Sequence, residues 1–271
     1  MDRYVVAGNP VAHSLSPEIH SRFAASMGER LAYDRLLVPE GGFASHLGRF
    51  FDEGGLGANI TLPFKVDAFR FASRASARAQ LAGAANFLAR RGGAIECDNT
   101  DGAGLVADLS KNLGLRLQGA RILLLGAGGA ARGVVAPLLE QGPAAIVIAN
   151  RTRTKAAELA QVFAGLGNVQ ACALDEIPAG AFALVVNATS TSTRGEELVL
   201  PVGTIAKEVF AYDMAYGDAA RPFVARAIAT GARASDGLGM LVEQAAESYF
   251  LWRGKRPETA PVLAELRARF A

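Results

Sequence analysis

Hydrophobic residues in this chain fall in short runs broken by glycine, proline and asparagine, with stretches of helical period between them. Residues 4–8 form an apolar run stopped by Gly8-Asn9-Pro10, the pattern of a buried strand. Ser16-Pro17 predicts a helix start, with Ser16 as N-cap and Pro17 at the first helical position. Ile19, Phe23 and Met27 then recur every four residues and give that helix one apolar face. Residues 35–38 and 58–61 read as further strands, with a helix over 43–51 between them. After Asp101 the texture changes. A connecting helix over 106–113 precedes a buried strand at 121–125, which runs straight into glycine. A helix over 130–141 follows, then strands at 146–149, 184–187 and 210–214.

This alternation is the signature of a parallel sheet covered on both faces and places the chain in the α/β class. The pattern breaks near Asp101 and again near Gly237, which predicts a discontinuous first domain. It comprises 1–102 plus 238–271, with 103–237 inserted as the second domain. The closing helices, 240–252 and 261–270, return to the N-terminal half. On the first of them Leu241, Gln244, Ser248 and Leu251 share a face, so Gln244 is an amide on a largely apolar stripe.

Composition narrows the function. The chain has 271 residues, 51% hydrophobic and 20% charged, enough to bury a sizeable core. A formal net charge of +2, without a run of like charge, argues against a nucleic-acid partner. Cys97 and Cys172 suggest no disulfide scaffold and are too few for a cysteine-based zinc site. His13, His20 and His46 show no His-Glu-x-x-His spacing, so no metal is expected. The longest apolar stretch, 122–131, is about half of the roughly 20 residues a membrane span needs. The N-terminus does not read as a signal peptide. The expectation is a soluble cytoplasmic protein acting on a small molecule, with monomer and homodimer both open.

Gly126-Ala127-Gly128-Gly129-Ala130 lies between a hydrophobic strand and a helix, a variant of the dinucleotide-binding turn. Gly126 permits the tight turn and Gly128 lets the backbone approach a pyrophosphate. The helix start offers N–H groups and a positive dipole end. The next strand ends in Asn150-Arg151-Thr152-Arg153-Thr154-Lys155, where an NAD site carries an acidic residue for the ribose 2′-hydroxyl. Arg151 offers a planar fork and Thr152 a hydroxyl, which suit a 2′-phosphate and hence NADP(H). A solvated basic turn capped by Thr152 or Thr154 is the plainer alternative.

Four N-terminal segments set polar residues at the ends of apolar elements: 9–17, 59–65, 83–86 and 98–102. Taken singly, Ser16, Asn86 and Asp101 have ordinary roles as caps or turn residues. Lys65 is one of five lysines in an arginine-rich chain. Together with the later motifs these segments resemble the shikimate dehydrogenase family over essentially the whole chain. The matching motifs are Gly-Asn-Pro-x-x-His-Ser-x-Ser-Pro at 8–17, Asn-x-Thr-x-Pro-Phe-Lys at 59–65, and Asp-Asn-Thr-Asp-Gly at 98–102. Gly-Ala-Gly-Gly-Ala at 126–130, Asn-Arg-Thr at 150–152 and Asp-Gly-Leu-Gly-Met-Leu-Val-x-Gln-Ala at 236–245 complete the set.

The resemblance implies an N-terminal α/β substrate domain completed by C-terminal helices, an inserted Rossmann NADP-binding domain, and a cleft between them. It implies NADP-dependent reduction of 3-dehydroshikimate to shikimate on the route to chorismate and aromatic amino acids. By the same resemblance Ser14, Ser16, Thr61, Lys65, Asn86, Asp101, Tyr216 and Gln244 surround the substrate. Gly126, Ala127, Gly128, Gly129, Ala130, Asn150, Arg151, Thr152, Lys155, Met214 and Gly237 contact the cofactor.

These residue types suit that chemistry. Serine and tyrosine hydroxyls donate to a carboxylate, while Asn86 and Gln244 both donate and accept, as substrate hydroxyls require. Leaving such a group unpaired costs about 1–3 kcal/mol, which discriminates against analogues lacking a hydroxyl. Lys65 is the one cation of the constellation and the candidate acid/base; Asp101 is its positioning partner, or alternatively the base itself.

The chain also departs from the family pattern. Phe87 stands where a hydroxyl residue follows the asparagine, and Ala77 where an acidic residue is common. Two rival readings follow: a quinate/shikimate dehydrogenase of broader range, and a nicotinamide-nucleotide-binding regulator without turnover. Retention of Lys65 and Asp101 argues against the second.

Overall fold

The computed structural model describes residues 1–178, 180 and 182–270. In chain order the first strands and helices are β1 (Asp2–Gly8), α1 (Ser16–Ser26), β2 (Leu31–Leu37), α2 (Phe43–Asp52), β3 (Gly57–Ile60) and α3 (Lys65–Phe71). Then come β4 (Arg74–Ala75), α4 (Ala77–Ala82), β5 (Phe87–Arg91), β6 (Ala94–Asp98) and α5 (Asp101–Ala107), the last continuing as a π-turn over Asp108–Asn112. The expected connecting helix at 106–113 therefore starts earlier and widens before it ends. Next are β7 (Arg121–Leu125), α6 (Gly129–Leu139), β8 (Ala145–Asn150), α7 (Arg153–Phe163), β9 (Val169–Ala173) and β10 (Leu184–Asn187). The chain closes with α8 (Thr191–Arg194), β11 (Phe210–Asp213), α9 (Arg221–Ala229), β12 (Arg233–Ser235), α10 (Leu238–Arg253) and α11 (Ala260–Phe270).

The chain divides into two compact units. The first holds Met1–Gly104 with Leu241–Arg269, the second Leu105–Met240 with Phe270. The division falls within α5 and α10. Sequence pattern marks where helices start, whereas a boundary inside a continuous helix leaves no local signal.

The first unit contains a six-stranded sheet in the order β2-β1-β3-β5-β6-β4. β1 runs parallel to β2 and β3, but β5 is antiparallel to both β3 and β6. The expected all-parallel sheet is thus a mixed one. Gly92 and Gly93, with φ of 55° and 81°, close β5 and β6 into a hairpin, a turn that favours residues tolerating positive φ. Alternate residues of β1 bury on opposite faces. Tyr4 and Val6 join Val11 and Tyr33, while Val5 and Ala7 join Phe43, Leu47, Phe51 and Ile60.

The second unit is a six-stranded all-parallel sheet, β12-β11-β10-β7-β8-β9. Ile122 and Leu124 pack on one face with Val134, Val135 and Leu138 of α6; Leu123 and Leu125 pack on the other with Phe182 and Phe223. Two faces covered by helices explain why its strands are continuous apolar runs.

The start of α1 differs from expectation. Leu15 occupies the N-cap position without a side-chain cap bond, and Ser16 is the first helical residue, buried at 4% exposure. Ser14 takes over local satisfaction: its Oγ accepts from the Ser16 N–H at 3.3 Å and donates to Ser16 Oγ at 3.2 Å.

Candidate active site

In the first unit the chemistry gathers beyond the C-terminal edge of β1 and β3 and on the segment that follows β6. Asp98, the last residue of β6, is clamped by Arg78, whose Nη2 donates to it at 2.7 Å, and by the Ser76 hydroxyl. Arg78 also reaches Glu247 at 3.0 Å. Burial opposes ionisation of Asp98, but the Arg78 and Ser76 donors win and hold its carboxyl below the usual range. Asn99 Nδ2 donates to the Ala84 carbonyl at 3.0 Å. The chain is thereby fixed immediately before Thr100 and Asp101.

Lys65 opens α3, and its carbonyl accepts from Ala85 N–H at 2.8 Å, tying it to the residue before Asn86. Lys65 Nζ donates to Asp101 Oδ2 at 2.6 Å, with side chains only 13% and 6% exposed. Asn86 Nδ2 donates to the other oxygen, Asp101 Oδ1, at 2.8 Å. Both oxygens of one carboxylate are therefore engaged by residues from two other segments.

The amides have defined orientations. Asn86 Oδ1 accepts from Thr100 N–H at 2.7 Å, so its NH₂ must face Asp101. Gln244 Nε2 donates to the Leu241 carbonyl at 2.9 Å, and its Oε1 accepts from Asn86 Nδ2 at 3.2 Å. Flipping Gln244 would set oxygen against oxygen and NH₂ against NH₂. Behind them lies a buried relay that the motif reading did not assign. The Thr100 hydroxyl meets Ser248 Oγ at 3.2 Å, and Asn59 Nδ2 donates to Ser248 Oγ at 2.9 Å. Asn59 and Thr100 lie inside recognised motifs, and Ser248 shares the Gln244 face of α10, so spacing alone held this signal.

Of the other expected substrate residues, Ser14 and Ser16 form their own hydroxyl pair on the loop after β1. The Ser14 carbonyl accepts from Arg35 Nε and Nη2 at 3.2 and 2.6 Å. Thr61 follows β3 and presses on Gly8, where a side chain would collide with its methyl group. Tyr216 belongs to the second unit, at the N-terminal end of a 3-10 turn over Gly217–Ala219. Phe87 stacks on Trp252, centroids 5.1 Å apart. Ala77 is exposed at the start of α4, which Ser76 caps.

In the second unit β7 runs into Gly126, whose φ of 106° suits glycine, and a Cβ there would sit 3.1 Å from the Ala188 carbonyl carbon and oxygen. A Cβ at Gly128 would meet nothing within 4 Å, so its backbone faces open space. No side chain caps α6, whose first N–H groups follow at Gly129 and Ala130. Asn150 ends β8 and donates from Nδ2 to the Thr152 carbonyl at 2.9 Å. Thr152 occupies the N-cap of α7 without a side-chain cap bond, which removes the plain capping role considered for it. Arg153 pairs with Glu176 at 3.3 Å, whereas Arg151 and Lys155 are exposed and form no ion pair among the described residues. Gly237 lies against the Met214 carbonyl so closely that no side chain fits. An open glycine backbone, an uncapped helix start and free cations fit a phosphate-bearing dinucleotide. Among the described residues no cluster of metal-ligating side chains occurs.

An all-parallel sheet with a glycine turn, together with a lysine–carboxylate pair held by amides, defines a two-domain α/β oxidoreductase of the pyridine-nucleotide class. Residues 6–88 match the family described as "Shikimate dehydrogenase substrate binding domain", 108–218 "Shikimate / quinate 5-dehydrogenase", and 237–267 "Shikimate 5'-dehydrogenase C-terminal domain". The chain belongs to the shikimate dehydrogenase family. It is 53% identical to a shikimate dehydrogenase (NADP(+)) of Dechloromonas aromatica, over 99% of this chain and 98% of that one. It superposes on an Ael1 enzyme from Pseudomonas putida with a TM-score of 0.91 and 44% identity, covering 98% of each chain. It also superposes on Thermus thermophilus shikimate 5-dehydrogenase in complex with NADP(H) and shikimate, with a TM-score of 0.84 and 32% identity, covering 99% of each.

Proposed function

We propose that this chain catalyses the reversible reduction of 3-dehydroshikimate to shikimate with NADPH, using Lys65 as acid/base and Asp101 to position it. The observation that carries the assignment is the buried Lys65–Asp101 contact of 2.6 Å, with Asn86 on the second carboxylate oxygen. Bound NADPH supplies the hydride; the chain supplies the proton and the orientation. Lys65, held by Asp101, donates to the oxygen that gains charge as the carbonyl is reduced. In the reverse direction neutral Lys65 accepts that proton. Asp101 keeps lone pairs for a substrate hydroxyl, and Gln244 presents the second hydrogen of its Nε2. Ser14, Ser16 and Thr61 supply further hydroxyls to the substrate, by the family motifs they match.

Gly126 to Ala130 take the pyrophosphate. Asn150, Arg151, Thr152 and Lys155 take the 2′-phosphate, and Met214 and Gly237 line the nicotinamide end. Substrate domain and cofactor domain correspond to the first and second units. The free, buried Cys97 and Cys172 fit a reducing compartment, and the cytoplasm is the proposed setting.

The test is the absorbance of reduced nicotinamide with shikimate or quinate and NADP+ or NAD+. The expected result is a dominant rate with shikimate and NADP+. In Lys65→Ala that rate falls by about 10²–10⁴-fold. Near-normal turnover in Lys65→Ala would remove Lys65 from the chemistry.

A further inference from the structure

β10 and β11 end in register at Asn187 and Asp213, which are 1% and 0% exposed. Neither was among the expected site residues. Asp213 Oδ2 accepts from Asn187 Nδ2 at 2.9 Å and from Ser192 Oγ at 2.6 Å, and Asp213 Oδ1 accepts from Ala215 N–H at 2.8 Å. Asn187 Oδ1 in turn accepts from the Thr189 N–H and hydroxyl at 3.1 and 2.7 Å. One buried amide–carboxylate pair therefore folds two loops, 188–192 and 214–216.

Each loop presents backbone to a glycine of the expected cofactor set. The Ala188 carbonyl lies against Gly126, and the Met214 carbonyl lies against Gly237. A shift of either loop therefore moves the floor of the glycine turn or the wall beside Met214. The bonds are also directional: Asn187 must donate toward Asp213 because its oxygen is engaged by Thr189.

We infer that Asn187 and Asp213 are positioning residues for NADP(H), holding the 188–192 and 214–216 loops against Gly126 and Gly237. This rests on the reading that the glycine turn takes the dinucleotide. The network permits a stringent test, because Asn187 and Asp213 are nearly isosteric and their exchange preserves every bond. In the double variant Asn187→Asp/Asp213→Asn, the new carboxylate accepts from Thr189, Ser192 and the new amide. That amide's oxygen accepts from Ala215 N–H. In Asp213→Asn alone the new NH₂ faces either the Asn187 NH₂ or the Ala215 N–H; in Asn187→Asp alone two carboxylates face each other.

The experiment measures the Kd of NADP+ by calorimetry on the full chain, alongside shikimate KM and thermal melting. Each single variant raises the Kd by about tenfold or more, as expected for an unsatisfied buried polar group. The double variant returns it to within about threefold of wild type, a recovery expected of coupled neighbours. Shikimate KM stays near wild type where activity is measurable. Ser192→Ala, which removes one donor at the edge of the network, guards against unfolded single variants and raises the Kd severalfold. The inference is overturned if the double variant fails to recover, if Ser192→Ala leaves the Kd unchanged, or if the single variants melt lower yet bind NADP+ as wild type does. Failure of the wild-type chain to bind NADP+ would instead overturn the dinucleotide reading, and the inference with it.

Discussion

Lys65 Nζ donates to Asp101 Oδ2 at 2.6 Å across 36 residues of sequence, and both side chains are largely withdrawn from solvent. Withdrawal strengthens the charge-assisted bond, because water no longer competes for either partner. It also makes the pair dependent on its supports: removing one member leaves the other buried with a charge it cannot share.

Asp101→Asn keeps the shape and the Asn86 contact but removes the charge that orients Lys65. The expected outcome is a fall in kcat of about 10²-fold or more, with a rise in shikimate KM, since Asp101 also faces a substrate hydroxyl. Steady-state kinetics at saturating NADP+ checks this. An unchanged shikimate KM with lost kcat would assign Asp101 to Lys65 alone.

Arg151→Ala removes an exposed cation that has no ion pair among the described residues, whereas Arg153→Ala removes one already paired with Glu176. The first should raise the KM of NADP+ by about tenfold, in line with a charge-assisted bond of roughly 1.5–3 kcal/mol, and narrow the preference over NAD+. The second should change either by less. Comparing KM for both dinucleotides in the two variants checks the ranking.

Phe87→Thr restores the hydroxyl residue that the family pattern prefers. Because Phe87 stacks on Trp252 at 3% exposure, its loss opens core volume and should cost about 2–4 kcal/mol of stability. Shikimate KM and the shikimate-to-quinate rate ratio should stay within about twofold of wild type, since the ring packs against Trp252 in the core. Urea unfolding and the two kinetic measurements separate packing from specificity.

His20 is completely buried, stacked on Tyr33 with centroids 4.3 Å apart, and neither ring nitrogen has a hydrogen-bond partner within bonding distance among the described residues. Burial pushes it down from 6.5 to about 3, with Asn59 opposing the shift. Between those values the unfolded chain binds a proton that the folded chain declines, so stability rises with pH. The contribution is complete above about 6.5 and is lost as pH falls toward 3. At about 1.4 kcal/mol per pH unit, roughly 2 kcal/mol disappears between pH 6.5 and 5. Glu29, held at about 2 by Tyr249, Lys255 and Arg253, loses its contribution only below its unfolded value of 4.5. Urea unfolding at pH 7 and pH 5 is compared in wild type and His20→Phe, where the difference should shrink by about that amount.

The sequence by itself determined the α/β class and the glycine turn, while Lys65, Asn86, Asp101 and Gln244 were singled out by resemblance to the family. These are read from local information: apolar runs of strand length, a helix period, and residue types at fixed spacing. The antiparallel turn of β5 into β6 is carried locally by Gly92-Gly93, but the pairing of β5 with β3 is not, because a half-buried strand carries the same pattern in either direction. Nor could the sequence decide that Ser16 is buried in the first helical turn rather than capping it. Only the tertiary structure showed that Asn59, Thr100 and Ser248 stand behind the site amides. Only there do Asn187 and Asp213, 26 residues apart, share one set of bonds. The reason is physical. Polar residues at strand ends have several local uses, and which one is realised depends on the donors and acceptors that distant segments bring to a site closed to water.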